Sequence, residues 1–208
     1  MLISKKRNFI FIHIYKTAGT SITSALMPFT QGTGRRIVNR VLKKINFPSL
    51  FFDPQPYEGH IKAFEIIEAM GSDAFNSFFS FAFVRNPWDW NVSLYNFILK
   101  EKNHPQHDFV KKFGDFGEYI EWRCENWVTC QKEFICSKHN ELLVDFVGKY
   151  ENINADFKKI CSHIGISASL PILNVSKTQP YQQYYTKKTS ELVRQTFESD
   201  IELFEYDF

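Results

Sequence analysis

Apolar and polar positions alternate in blocks along this chain, in a pattern that predicts an α/β fold. Two apolar runs of β-branched and aromatic side chains, residues 8–14 and 78–85, predict buried strands, and residues 144–150 predict a third. Periodic apolar positions predict helices in the segments 20–28, 62–70, 88–101, 107–121, part of 122–138, 154–164 and 187–205. No repeat, low-complexity run or linker interrupts this order, so we expect a single domain over residues 1–208.

Turn-forming residues mark where several of these elements stop. Pro28 is expected to end the first helix, and Gly71 to cap the helix over 62–70. Residues 30–58 contain a lone Gly-Thr-Gly, two adjacent arginines and three prolines, which predicts a short basic helix followed by an irregular segment.

The first predicted strand runs into a segment that suits an anion. This segment contains, in order, Lys16, Thr17, Ala18, Gly19, Thr20 and Ser21. The backbone N–H groups of such a turn, together with the positive end of the following helix, point toward one place. A phosphate group would be stabilised there.

The second strong strand ends in another group of residues that suits a phosphate. Arg85 follows the apolar run, Pro87 fits the first turn of a helix, and Ser93 comes about two turns later. An arginine can donate two parallel hydrogen bonds to one phosphate and stays charged at any working pH. An ion pair between Arg85 and a nearby carboxylate such as Asp89 is the structural alternative.

An ATP-type site does not need two separate phosphate-binding elements. The molecule 3′-phosphoadenosine-5′-phosphosulfate (PAPS) does, because it carries two separate phosphate groups. At these residues the chain resembles the PAPS-dependent sulfotransferases, particularly family 2, the carbohydrate-type group. The resemblance implies a P-loop NTPase-like, three-layer α/β/α fold with a central, mainly parallel sheet. It also implies PAPS as the sulfuryl donor, 3′-phosphoadenosine-5′-phosphate (PAP) as the product, and no metal.

The resemblance assigns roles to the two motifs. Residues Lys16 to Ser21 resemble the loop that holds the 5′-phosphosulfate, with Lys16 also stabilising the leaving phosphate. Arg85 and Ser93 resemble the element that holds the 3′-phosphate. Many relatives have a second arginine five residues after the first, whereas this chain has Trp90 there. Lys177 is a further candidate on the cofactor side.

His60 is the candidate general base, because its position resembles that of the family's histidine between the two phosphate motifs. A histidine is largely neutral near pH 7 and can take the proton of an acceptor hydroxyl. Glu58 is the nearest substitute, as a base or as a partner that orients His60. His13 lies within the predicted first strand, where we expect it to be packed or hydrogen-bonded.

Composition and charge narrow the function classes. The net charge is +2, which gives no general attraction to nucleic acid or to an anionic membrane. The 22 phenylalanines are interpreted as core packing rather than as a special aromatic site. The four cysteines lack metal-ligand spacing, so we expect free thiols, with a Cys124–Cys130 or Cys130–Cys136 bridge as the alternative. With no signal peptide or transmembrane segment evident, we expect a cytoplasmic protein.

The acceptor and the reaction class leave alternatives open. The resemblance implies a glycan, glycolipid or hydroxylated metabolite as the acceptor. A P-loop nucleotide kinase or NTPase is the first alternative, although a Walker A loop places its lysine after the last glycine, whereas Lys16 precedes Gly19. A nucleotide-binding module that has lost catalysis is the second.

Overall fold

The computed structural model describes residues 1–30, 60–171 and 179–208. The chain divides into two compact units, and each is described by itself. The first unit holds the described residues of Met1–Phe83 and Phe134–Leu173, and the second those of Val84–Glu133 and Asn174–Phe208.

Four strands form one mostly parallel sheet. They are β1 (Leu2–Ser4), β2 (Phe9–Ile12), β3 (Phe79–Val84) and β4 (Phe146–Lys149), and they lie in the order β1-β2-β3-β4. β1 pairs with β2 in antiparallel fashion, whereas β2 and β3 are parallel, with Phe9 opposite Phe79 and Ile12 opposite Ala82. All four side chains of β2 are buried, as expected for a strand covered on both faces.

Helices make up most of the remaining described chain. The α-helices of this part are α1 (Gly19–Leu26), α2 (Ala63–Met70), α3 (Ser72–Asn76), α4 (Pro87–Lys100), α5 (His107–Val110), α6 (Phe116–Asn126), α7 (Ile153–His163), α8 (Lys187–Thr196) and α9 (Glu198–Leu203). Short 3₁₀ turns occur at Met27–Phe29, Gln131–Phe134, Tyr150–Asn152 and Tyr181–Tyr184.

Phenylalanine rings form much of the core of the first unit. Phe81 packs against Phe9, Phe11 and Phe79, with ring centroids 5.4 to 6.0 Å apart. These side chains meet apolar residues of α1 and α7, including Ile22 and several others that are fully or almost fully buried. For these phenylalanines of the first unit, the interpretation as core packing is confirmed.

The second unit buries an arginine among aromatic rings. Arg123 of α6 is fully buried, and its guanidinium lies 5.4 Å from the ring of Trp90 and 4.6 Å from that of Trp127. Its Nε donates a hydrogen bond to the Asn91 side chain at 2.5 Å. Phe197 packs edge-on against Trp90. Trp90 is therefore a core residue of this unit, with a cation stacked on its ring.

Most predicted elements exist, with shifted boundaries. The helix predicted over 62–70 is α2, and Gly71 ends it at φ +86°, as expected. The helix predicted over 107–121 is wrong as one element, because it is replaced by α5 and α6. Asp115 starts α6 anew by accepting the Glu118 N–H. The tail predicted over 187–205 likewise divides at Phe197 into α8 and α9.

The sheet confirms part of the predicted fold class. The mixed α/β class and the mostly parallel sheet are confirmed, while the three-layer, P-loop-like arrangement and the single domain stay predictions. β1 was not predicted. The helix and irregular segment over 30–58 fall almost wholly outside the described residues. The four cysteines form no disulfide bond with one another.

Candidate functional site

The segment between β2 and α1 has the backbone geometry of an anion-binding turn. Lys16 and Ala18 both have φ near +63°, which non-glycine residues rarely adopt. Left-handed residues alternating with ordinary ones turn successive N–H groups toward the same side. α1 begins directly afterwards at Gly19, and no side chain caps its first turn. The first turn itself contains Gly, Thr, Ser and Ile, so it has no acidic side chain to repel an anion.

Two side chains hold this turn in place. The hydroxyl of Thr17 is buried and donates a hydrogen bond to the carbonyl oxygen of Ile14 at 2.7 Å. Thr17 could therefore contribute to a ligand through its backbone N–H, whereas its hydroxyl closes the turn. Gly19 packs so closely on the imidazole of His13 that a Cβ atom at this position would overlap the ring. The glycine is thus required by close approach.

His60 lies next to this turn in the same unit. Its Nδ1 is 2.9 Å from the backbone carbonyl oxygen of His13. A carbonyl can only accept, so the Nδ1–H of His60 is the donor, and in the neutral ring Nε2 carries the lone pair. The ring also packs edge-on against His13 and Tyr15, with centroids 4.8 and 5.4 Å away. These contacts fix the side of the imidazole that can accept a proton.

Both histidines favour the neutral form. Burial lowers the pKa of His13 to about 3, and the nearby His60 and Lys16 act in the same direction. His60 is exposed as a whole residue, but partial desolvation of its ring lowers its pKa, partly offset by its hydrogen bond to the His13 carbonyl. A lowered pKa keeps the Nε2 lone pair of His60 available at and somewhat below neutral pH.

The second predicted motif lies in the second unit. Asn86 caps α4 by accepting the N–H groups of Trp88 and Asp89, and Pro87 occupies the first helical position, as predicted. The Nε of Arg85 donates to the Asp89 carboxylate at 2.8 Å.

The ion pair predicted as the structural alternative for Arg85 is therefore present. This ion pair engages the Nε of the guanidinium. Ser93 lies one helical turn beyond Asp89, on the same face of α4, and is half-buried.

Most of the predicted site residues fall into one of the two units, and two lie outside the described residues. Residues 16–21 and His60 share the first unit, and Arg85 and Ser93 share the second. Lys177 and Glu58 lie outside the described residues. Sequence reasoning missed the His13 carbonyl as a partner of His60, for which the sequence has no signal. It also missed the capping role of Asn86, which the Asn-Pro pair ahead of a helix could have indicated.

Two absences apply to the described ranges. In residues 1–30, 60–171 and 179–208, no helix is both long and apolar enough to cross a membrane. Within the same ranges, no group of His, Cys, Asp and Glu side chains could hold a metal ion.

Comparison with known proteins gives one family and one relative. The sequence matches the model of a family described as "Sulfotransferase family" over residues 1–207. It is also 28% identical over 127 residues to an "Uncharacterized protein" of Archaeoglobus fulgidus, an alignment that covers 58% of this chain and 97% of the relative.

Proposed function

Because the chain belongs to the sulfotransferase family, we propose that it transfers the sulfuryl group of PAPS to a hydroxyl or amine of a carbohydrate or glycoconjugate acceptor. Family membership supports sulfuryl transfer in general and implies an acceptor substrate. The donor, the acceptor class and the residue roles are our proposal. The observation that carries it is the left-handed turn at Lys16 and Ala18, directly ahead of the uncapped first turn of α1.

The donor set of this turn fits the 5′-phosphosulfate of PAPS. Residues 17–21 offer neutral backbone N–H donors, and Lys16 offers a cationic donor. The first turn of α1 has no carboxylate that would compete for them. For the 3′-phosphate we assign Arg85 and Ser93, with Lys177 as a further cation. Arg85 is the side chain best suited to this role because its planar fork matches a phosphate.

The chemistry assigned to the protein residues follows from charge. PAPS supplies an activated sulfuryl group on a phosphate leaving group. Lys16 and the turn N–H groups stabilise the negative charge that grows on the 5′-phosphate oxygen as the S–O bond breaks. Nε2 of His60 accepts the proton of the acceptor as its oxygen or nitrogen bonds to sulfur. Positioning and preorganised donors provide most of the acceleration, as in phosphoryl transfer.

The first test compares PAP with ADP, which lacks the 3′-phosphate. At about 100 times its Kd, PAP should stabilise the folded protein by roughly 2.7 kcal/mol, and ADP at the same concentration by much less. Arg85→Ala should remove the difference between the two nucleotides. Arg7→Ala is the matched control, because Arg7 is an exposed arginine of the other unit. Equal stabilisation of the wild type by PAP and ADP would contradict the assigned 3′ site.

The second test detects the reaction itself. The protein is incubated with PAPS and a panel of glycans, glycolipids and hydroxylated metabolites, and products are searched by mass spectrometry for the addition of one SO₃ group. Transfer that requires Lys16 supports the proposal. Binding of PAP without transfer to any acceptor would favour an inactive nucleotide-binding module, and Mg²⁺-dependent ATP turnover would favour a kinase or NTPase.

A further inference from the structure

A single glutamine side chain holds both backbone groups of Arg85. The Oε1 of Gln131 accepts the Arg85 N–H at 2.8 Å, and its Nε2 donates to the Arg85 carbonyl oxygen at 2.7 Å. Gln131 is fully buried. Arg85 is the first residue after β3, so its N–H and carbonyl lie just past the end of that strand. The glutamine amide therefore binds this one residue as a neighbouring strand would.

A buried carboxylate in turn holds the backbone of Gln131. The N–H of Gln131 donates to Oδ2 of Asp200 at 2.6 Å, and the N–H of Lys132 donates to Oδ1 at 2.9 Å. Asp200 lies in the first turn of α9 and is fully buried. These two N–H groups begin the short 3₁₀ turn that carries Gln131. The position of the glutamine is therefore set by α9, which is distant in sequence.

The residues around Arg85 leave its backbone little freedom. Asn86 bonds the first turn of α4 with its oxygen, while its Nδ2 donates to the Asp207 carbonyl oxygen at 2.7 Å. The side chain of Arg85 is directed by the ion pair with Asp89. Among these contacts, only that of Gln131 holds the backbone of Arg85 itself. A carboxamide offers one acceptor and one donor side by side, so an apolar residue here would leave the N–H and the carbonyl oxygen of Arg85 without these partners.

We propose that Gln131, anchored by Asp200, is a positioning residue that aims Arg85 at the 3′-phosphate and so sets the preference for a 3′-phosphorylated nucleotide. This inference rests on the proposed function, because it deepens the role given there to Arg85. Its consequence is specific: loss of the glutamine amide should weaken binding of PAP more than binding of ADP, since only PAP has the group that Arg85 binds.

The test uses Gln131→Met, which keeps the size of the side chain and removes both hydrogen bonds. Calorimetry with PAP and with ADP should show the ratio of the two affinities falling about tenfold or more, while the ADP affinity stays within about twofold. Gln195→Met is the matched control, because Gln195 is an exposed glutamine of α8 that bonds only Glu191 in the described chain. It should leave both affinities unchanged.

A second measurement needs no ligand. Hydrogen exchange at the Arg85 amide should be faster in Gln131→Met than in the wild type, because the Oε1 acceptor is gone. Should Gln131→Met fail to fold, Asp200→Asn serves in its place, since it is isosteric and disturbs only one of the two carboxylate acceptors. It should shift the nucleotide ratio in the same direction by a smaller factor.

The outcomes separate this inference from the proposed function. A wild-type protein that binds PAP and ADP equally well refutes the 3′ site and the positioning role together. A wild-type preference for PAP that persists in Gln131→Met, with faster exchange at Arg85, refutes the positioning role alone. Equal loss of affinity for both nucleotides also refutes it, because that is the result of a purely structural role.

Discussion

Replacement of Gly19 by alanine tests whether the His13 ring shapes the anion-binding turn. The added methyl group would overlap the imidazole. Rotation of the ring is resisted by Phe11, whose ring is stacked 5.9 Å away, and by His60, whose ring packs edge-on at 4.8 Å. The clash therefore has to be relieved by a shift of the turn or of α1.

The expected magnitude combines two opposed effects. Overpacking of this kind costs about 1–3 kcal/mol. Alanine in place of glycine favours a helix and restricts the unfolded chain, which stabilises by about 0.5–1 kcal/mol. The difference between these ranges puts the destabilisation by Gly19→Ala at about 0–2.5 kcal/mol. In a His13→Ala background the obstacle is absent, so the same substitution should become neutral or stabilising, with a coupling energy of about 1–3 kcal/mol.

Urea unfolding of the wild type, both single variants and the double variant measures this coupling. Gly114→Ala is the control, since its methyl would lie 3.3 Å from a carboxylate oxygen of the flexible side chain of Glu118. This control should not destabilise the protein, and the gain from restricting the unfolded chain should stay within about 1 kcal/mol. Additive effects of the two substitutions would refute the packing argument. PAP binding by Gly19→Ala should also weaken, because the turn N–H groups move with α1.

Three further predictions concern the histidines and Asn86. His60→Ala should lower the single-turnover rate of transfer by about 10²–10⁴-fold while leaving PAP affinity nearly unchanged, and near-normal transfer would remove His60 from the mechanism. In the wild type, the acid limb of the pH–rate profile should lie below pH 6.5, because desolvation lowers the pKa of this base. Because the pKa of His13 is about 3 when folded but about 6.5 when unfolded, the unfolded chain binds the extra proton as pH falls, so the wild type should lose about 1 kcal/mol more stability than His13→Gln between pH 7 and 5.5. Parallel pH profiles of the two proteins would contradict the buried neutral ring. Asn86→Ala removes a helix cap and a hydrogen bond to the Asp207 carbonyl, so it should lower the free energy of unfolding in urea by roughly 2–4 kcal/mol. The control Asn126→Ala, at an exposed asparagine, should lower it by less than about 0.5 kcal/mol. Similar values for both would show that the cap is unimportant.

The sequence by itself determined the elements whose signals are local. Apolar runs predicted β2 and β3, because a strand buried on both faces needs consecutive apolar side chains. Gly71 ended α2 and Pro87 began α4, because each fixes or permits a particular φ at its own position. The candidate phosphate turn could be located for the same reason, since its donors are backbone groups of consecutive residues.

Only the tertiary structure decided which distant residues meet. The sequence predicted His60 but not its bond to the His13 carbonyl, 47 residues away, which fixes the nitrogen that can accept a proton. Gln131 meets Arg85 across 46 residues, and Asp200 meets Gln131 across 69. Periodicity and turn signals describe how a segment folds on itself and carry no information about the partner of a polar side chain. Such partners are set by packing of whole elements, which also determines how far burial moves the pKa of His13 and Asp200.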